Sequence, residues 1–239
     1  MESTDRPVAL FAALHSEAQV LERRLSPSTI AWPHFFIWQG LLEGAPVVLA
    51  VSGVGKVASA LAAQFVFDAF HPRCAITFGL AGAKASDIPP GQLIVASGAV
   101  QHDMDARPLT QAQGTIPSLG MAVFPSDPTW SARLRRATES VADDPNLISS
   151  GLVLTGDQIV TSAQIRDGLL TVFPEGACFD METAAIAQVA YQNAIPWAAL
   201  RVTSDAADET FNLDQVLGFG IETASDLFDQ VIGALLKDL

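Results

Sequence analysis

Two carboxylates in the stretch 178–208 stand where chemistry on a sugar or a base would need them. The stretch reads CFDMETAAIAQVAYQNAIPWAALRVTSDAAD. A short apolar approach ends in Asp180-Met181-Glu182, an alanine-rich segment follows, and the apolar run 197–202 empties into Thr203-Ser204-Asp205. This pattern predicts strand, helix, strand, with an acid at each strand exit. In open α/β sheets, ligands sit outside the carboxyl ends of the strands, so Glu182 and Asp205 are expected to face one crevice. Gly156-Asp157, after Leu152-Val153-Leu154, is a further strand-exit acid that alone would be a turn residue. His102-Asp103 offers either a proton relay or a ring held at a strand end.

The elements that must position these groups alternate along the chain. Residues 8–13 (VALFAA) read as a buried strand, and Ser16-Glu17 opens a helix that runs to Leu25. Residues 35–42 and 47–51 read as two strands joined by the turn Glu43-Gly44-Ala45-Pro46. Ser52-Gly53-Val54-Gly55 leads into a helix over 56–70, and 74–78 is a strand ending in a glycine turn, Gly79-Leu80-Ala81-Gly82. Strands over 92–100 and 147–154 and helices over 127–141, 162–172 and 213–236 complete the pattern. Strands alternating with helices predict a mostly parallel sheet in a single domain over 1–239, with antiparallel pairing among the hairpin strands.

Composition narrows the partners. The 26 acidic against 13 basic residues give a net charge of −13. That balance excludes a phosphate-backbone ligand, which needs clustered Lys and Arg. Cys74 and Cys178 sit in apolar runs without metal-ligand spacing and read as buried thiols of a reducing compartment. The N-terminus lacks the charge pattern of a leader, and no apolar run is long enough to span a membrane. A cytoplasmic protein without membrane contact, metal or cofactor is the expectation.

Gly53-Val54-Gly55-Lys56-Val57-Ala58 matches a dinucleotide-binding G-x-G-x-x-A turn. That fingerprint wants an acid some twenty residues on, at the next strand's end; residues 71–76 carry none. A P-loop is excluded, since no Gly stands at the required spacing and Val57 replaces Ser or Thr.

Ser52-Gly53-Val54-Gly55-Lys56-Val57-Ala58, Gly79-Leu80-Ala81-Gly82, His102-Asp103, Thr155-Gly156-Asp157, Asp180-Met181-Glu182 and Ser204-Asp205-Ala206-Ala207-Asp208 follow in one order. In that order and spacing the chain resembles the nucleoside phosphorylase superfamily, and within it the 5'-methylthioadenosine/S-adenosylhomocysteine nucleosidase branch. The resemblance implies a three-layer αβα sandwich with a central mixed, mostly parallel sheet. It also implies a homodimer and hydrolysis of the N-glycosidic bond of an adenosine thioether. Asp205 then matches the general acid for purine N7, and Glu17 the carboxylate that helps activate water. Glu182 matches the residue that holds the ribose hydroxyls, Met181 packs on the ribose, and Ser204 partners Asp205; Arg201 stands on the supporting strand.

Chemistry agrees with such roles. Cleaving C1'–N9 develops a cationic sugar and an anionic purine, which calls for an acid on one side and a carboxylate on the other. Asp205 needs its pKa raised by about three units to carry a proton near neutrality, and apolar neighbours Val202 and Ala206 are expected to supply part of that by burial. Asp208 reads as a helix-entry or surface acid. The family places an aromatic on the purine after Gly-Asp; here Gln158, Ile159 and Val160 follow, so purine binding falls to backbone and aliphatic contacts with Ala81-Gly82 opposite. Leu14, Phe211 and Leu213 are expected at the 5' end. The proline-rich segment 103–125 has apolar patches that a soluble monomer seldom exposes, and the resemblance implies that a subunit lends such a loop to its neighbour's 5' pocket, with Phe124 expected at that contact. Alternatives are a phosphate-dependent phosphorylase, a superfamily nucleosidase with another base or 5' group, a nucleoside sensor without turnover, and a dinucleotide-binding domain.

Overall fold

The computed structural model describes residues 6–28 and 35–239; the acidic run at 2–5 lies outside them. Among the described residues, ten strands form one mixed sheet. The first is β1 (Val8–Ala12), followed by helix α1 (His15–Arg24), a two-residue strand β2 (Ser26–Pro27) and the hairpin β3 (Phe36–Leu42) and β4 (Ala45–Val51). Then come α2 (Lys56–Phe70), β5 (Cys74–Ala83), β6 (Leu93–Gln101), the short β7 (Val123–Pro125) and α3 (Pro128–Val141). The chain continues through β8 (Ile148–Thr155), α4 (Ala163–Val172), β9 (Gly176–Asp180), α5 (Thr183–Gln192) and β10 (Trp197–Asp205). It ends with α6 (Leu213–Phe219) and α7 (Ser225–Lys237), joined through a π-helical turn at Gly220–Ala224.

Pairing runs β10-β6-β8-β9-β5, and β5 also pairs with β10, so these five strands close on themselves. From β5 the sheet extends outward through β1, β4, β3 and β2. Strands β1, β4, β5, β6, β8, β9 and β10 join in parallel pairs, and the hairpin β3–β4 is antiparallel as its turn demands. Side chains of a strand alternate between faces. Accordingly Val8, Leu10 and Ala12 face a core closed by α1, α3 and α7, whereas Ala9 and Phe11 face one closed by α2 and α5. This is a three-layer αβα sandwich.

Several expectations need correcting. The glycine run 79–82 is not a turn, because β5 continues through it to Ala83 and there pairs with β9. The helix expected over 213–236 is broken by the π-helical turn. In the segment 103–125 Leu109 (78%) and Val123 (38%) are exposed, but the residue expected at a partner contact, Phe124, is not. Ile116 and Phe124 are buried in the chain's own core, and Leu119 and Met121 pack against it. Phe124 lies on β7, paired to β6 at Ala99, with its ring 5.8 Å from that of Tyr191. A charge at Phe124 would break the fold rather than an interface.

Candidate active site

A cavity of about 180 Å³ opens at the carboxyl ends of β1, β4, β5, β8, β9 and β10. Its lining includes all twelve candidate site residues: Leu14, Glu17, Ala81, Gly82, Ile159, Val160, Met181, Glu182, Ser204, Asp205, Phe211 and Leu213. Gln158 and Phe179 line it too.

Glu17 reaches the cleft from the first turn of α1 and is only 4% exposed. One oxygen, Oε2, accepts the amides of Ala13 (3.0 Å) and Leu14 (2.9 Å), and Oε1 accepts that of Leu80 (2.8 Å). Helix starts leave amides without intrahelical partners; here the Glu17 carboxylate satisfies one and ties the end of β1 to β5. Burial pushes its pKa up, against the pull of these amides and of Arg201. Gly79 makes the approach possible. A Cβ there would lie 2.4 Å from Arg201 Nη1 and 2.7 Å from Glu17 Oε1.

Glu182 lies at the start of α5, buried, with Oε1 accepting the amide of Gly55 at 2.9 Å. Burial, reinforced by the charge of Asp180 and weakly by Glu17, pushes its pKa up to about 8, against Arg201 and the Gly55 amide. The native chain therefore binds this proton more tightly than the unfolded one. The resulting stability is complete below about pH 4.5 and is lost as pH rises through about 8. Glu182→Gln keeps an acceptor for Gly55 and cannot ionise. We expect it to gain stability relative to the wild type between pH 5 and pH 9, measured by urea unfolding; a shift of even one unit is worth about 1.4 kcal/mol. Parallel curves for the two proteins would exclude an uphill ionisation of Glu182.

Asp205 sits at the exit of β10. Its Oδ2 accepts the Ser204 hydroxyl (2.8 Å) and its Oδ1 the Ala207 amide (2.9 Å). The apolar seal expected from its neighbours is not made. Val202 points into the α3/α7 core, Ala206 is half-buried, and Asp205 itself is half-buried between the cleft and a second cavity of about 380 Å³. Val202 is one of the alternating inward residues of a strand, whereas Asp205 stands at the strand's open end.

Beneath the cleft lies a network that the sequence reading left undrawn. Arg201 is 2% exposed; its Nη2 lies 2.8 Å from Asp180 Oδ2 and donates to Thr183 Oγ1 (2.7 Å) and Thr77 Oγ1 (3.1 Å). Asp180 also accepts the Thr155 and Thr183 hydroxyls and the Thr183 amide. One guanidinium thus sits among three carboxylates, Glu17, Asp180 and Glu182. The signal was an Arg inside the apolar run WAALRV, since a charge seldom enters such a strand unpaired. Asp208 is another correction. It is 7% exposed, caps Thr210, and accepts the Ser86 hydroxyl at 2.7 Å beside Arg166. His102 lies outside the cleft lining, its ring buried against Gly156, and burial lowers its pKa.

A closed five-strand ring carrying acids at the open ends of β9 and β10 and at the first turn after β1 defines the class. The chain belongs to the phosphorylase superfamily, whose family model matches residues 7–236. Within that class it is similar to 5'-methylthioadenosine/S-adenosylhomocysteine nucleosidases. That of Staphylococcus saprophyticus is 30% identical over 233 residues, covering 97% of this chain and 100% of the relative. That of Anoxybacillus flavithermus is 30% identical over 237 residues, covering 96% and 99%. The solved nucleosidase of Neisseria meningitidis, in complex with methylthio-immucillin-A, matches with a TM-score of 0.89 at 28% identity, covering 98% of this chain and 100% of that one.

Proposed function

We propose that the chain, acting as one catalytic unit, hydrolyses the N-glycosidic bond of 5'-thioether adenosines and releases adenine. One observation carries the choice of hydrolysis. Every ionisable side chain lining the cleft is an acid: Glu17, Asp180, Glu182 and Asp205. A phosphate nucleophile would find no free cation among the described residues of this lining to bind it and would be repelled by the ionised Glu17 that must act as base, and the nearby Arg201 is already engaged by Asp180 and Thr183. Water carries no such penalty.

In this reading the purine lies between Ala81-Gly82 and 158–160, with N7 toward Asp205. Glu17 takes a proton from water as its oxygen attacks C1'. The C1'–N9 electron pair passes to the purine, which Asp205 protonates at N7. Glu182 accepts the ribose hydroxyls while Met181 packs on the sugar. A purine bound across Asp205 would itself exclude water and supply the seal that Val202 and Ala206 do not. Leu14, Phe211 and Leu213 bound the 5' end without a charged partner, which suits a short thioether. A cytoplasmic setting suits the free, buried thiols Cys74 and Cys178.

We also propose a two-fold homodimer, now placed on a different surface. Val54, at the cleft, continues into Val57 and Leu61 on the outer face of α2, which are 49%, 72% and 53% exposed. Light scattering is expected to give twice the 25.2 kDa chain mass. The activity itself is tested by offering methylthioadenosine, S-adenosylhomocysteine, futalosine, adenosine and inosine. Adenine from the thioethers is expected; release from none of the five, with binding retained, would favour a sensor.

A further inference from the structure

Three motifs left without a role in that reaction meet at one place. They are the Gly53-Val54-Gly55-Lys56 turn, His102-Asp103 and Gly156-Asp157. The Lys56 ammonium lies 2.6 Å from Asp103 Oδ1 and 3.9 Å from Asp157 Oδ2. Asp103 Oδ2 accepts the Asp157 amide at 2.9 Å, and Asp157 Oδ1 accepts the Lys56 amide at 2.8 Å. The contacts therefore close a cycle. One residue back, the Gly55 amide donates to Glu182 at 2.9 Å. Two successive amides at the start of α2 thus grip two carboxylates, Glu182 in the cleft lining and Asp157 just outside it. Gly55 has φ +101°, and a Cβ there would stand 3.1 Å from Asp157 Oδ1. The ring of His102 backs the cycle, since a Cβ on Gly156 would lie 2.3 Å from its Nε2.

We propose that Lys56, Asp103 and Asp157 are positioning residues, a clamp that fixes the base-side segment 157–160 relative to the ribose-side carboxylate Glu182. None of the three lines the cleft. They act through what they hold: Gln158, Ile159 and Val160 follow directly on Asp157 and do line it. Val160 is buried and pins the far end of the segment, whereas Ile159 is 52% exposed, so the placement of Gln158 and Ile159 rests on the near end at Asp157. The proposal deepens the nucleosidase reading, and it concerns geometry that can be measured without substrate.

The test uses Lys56→Met, Asp103→Asn and their double variant on the full chain. Exposed ion pairs add little to global stability, so the melting temperature should stay close to that of the wild type. Hydrogen exchange of the peptide spanning 156–161 should rise about tenfold in each single variant, while the β-strand core keeps its protection. The KM for the thioether nucleoside should rise about tenfold with kcat within about threefold, as expected when ground-state and transition-state binding are lost together. The double variant should be no worse than either single, because both break the same cycle. Unchanged exchange at 156–161 would overturn the clamp, as would additive losses or a fall in kcat at constant KM. A wild type that releases no adenine would remove the proposed function and still leave the exchange measurement to judge the clamp. If Lys56→Met does not fold, Asp103→Asn, which keeps the shape but loses the charge and one of the two acceptors, carries the same readings.

Discussion

Asp205→Asn is expected to lower adenine release by about 10²–10⁴-fold, the usual worth of one acid–base group, while leaving the fold and most nucleoside affinity in place. The side chain stands at the end of β10 with the Ser204 hydroxyl and the Ala207 amide on its two oxygens. An amide of the same shape keeps an acceptor for Ala207. It cannot deliver a proton to a departing purine and take it back. Steady-state kinetics with methylthioadenosine and a binding measurement with the same ligand separate the two effects. A variant retaining more than about a tenth of the wild-type rate would remove Asp205 as the acid.

The second large effect is expected at Arg201, and it is one of stability as much as rate. Replacing Arg201 by Met leaves Asp180 buried with its charge uncompensated, and it strips donors from Thr183 and Thr77. Breaking a buried ion pair from one side typically costs about 3–5 kcal/mol. For a chain of this length that corresponds to a melting temperature lower by roughly 10 °C. The loss of the cation also lets Glu17 and Glu182 hold their protons more firmly, since its charge opposes their upward shifts. Arg201→Lys should fall between, because one ammonium cannot fork to Asp180, Thr183 and Thr77 together. Calorimetry showing Arg201→Met within 1 kcal/mol of the wild type would contradict the network.

What the sequence reveals and what it hides have physical causes. Glu182 and Asp205 were legible because a carboxylate after an apolar run marks a strand exit, and strand exits on a parallel sheet converge. The helix over 56–70 was legible to its ends, with glycine before it and a left-handed His71 after it. Arg201 was named but not connected, because its partners come from β5, β9 and α5, up to 124 residues away. Asp208 misled for the same reason, as its partner Ser86 is 122 residues distant. In 103–125 the apolar residues carried no periodicity to say which way they face. Only pairing of β7 with β6 turns Phe124 inward. The run 79–82 looked like a turn because glycine serves turns, yet Gly79 serves the close approach of Arg201 and Glu17 instead.

The central claim is that water, not phosphate, takes the ribosyl group. Incubating the protein with methylthioadenosine in ¹⁸O-labelled water, with and without inorganic phosphate, tests it directly. The account predicts equal adenine release in both mixtures and one labelled oxygen on the anomeric carbon of a free sugar. Adenine that forms only with phosphate, together with an unlabelled sugar 1-phosphate, would contradict it.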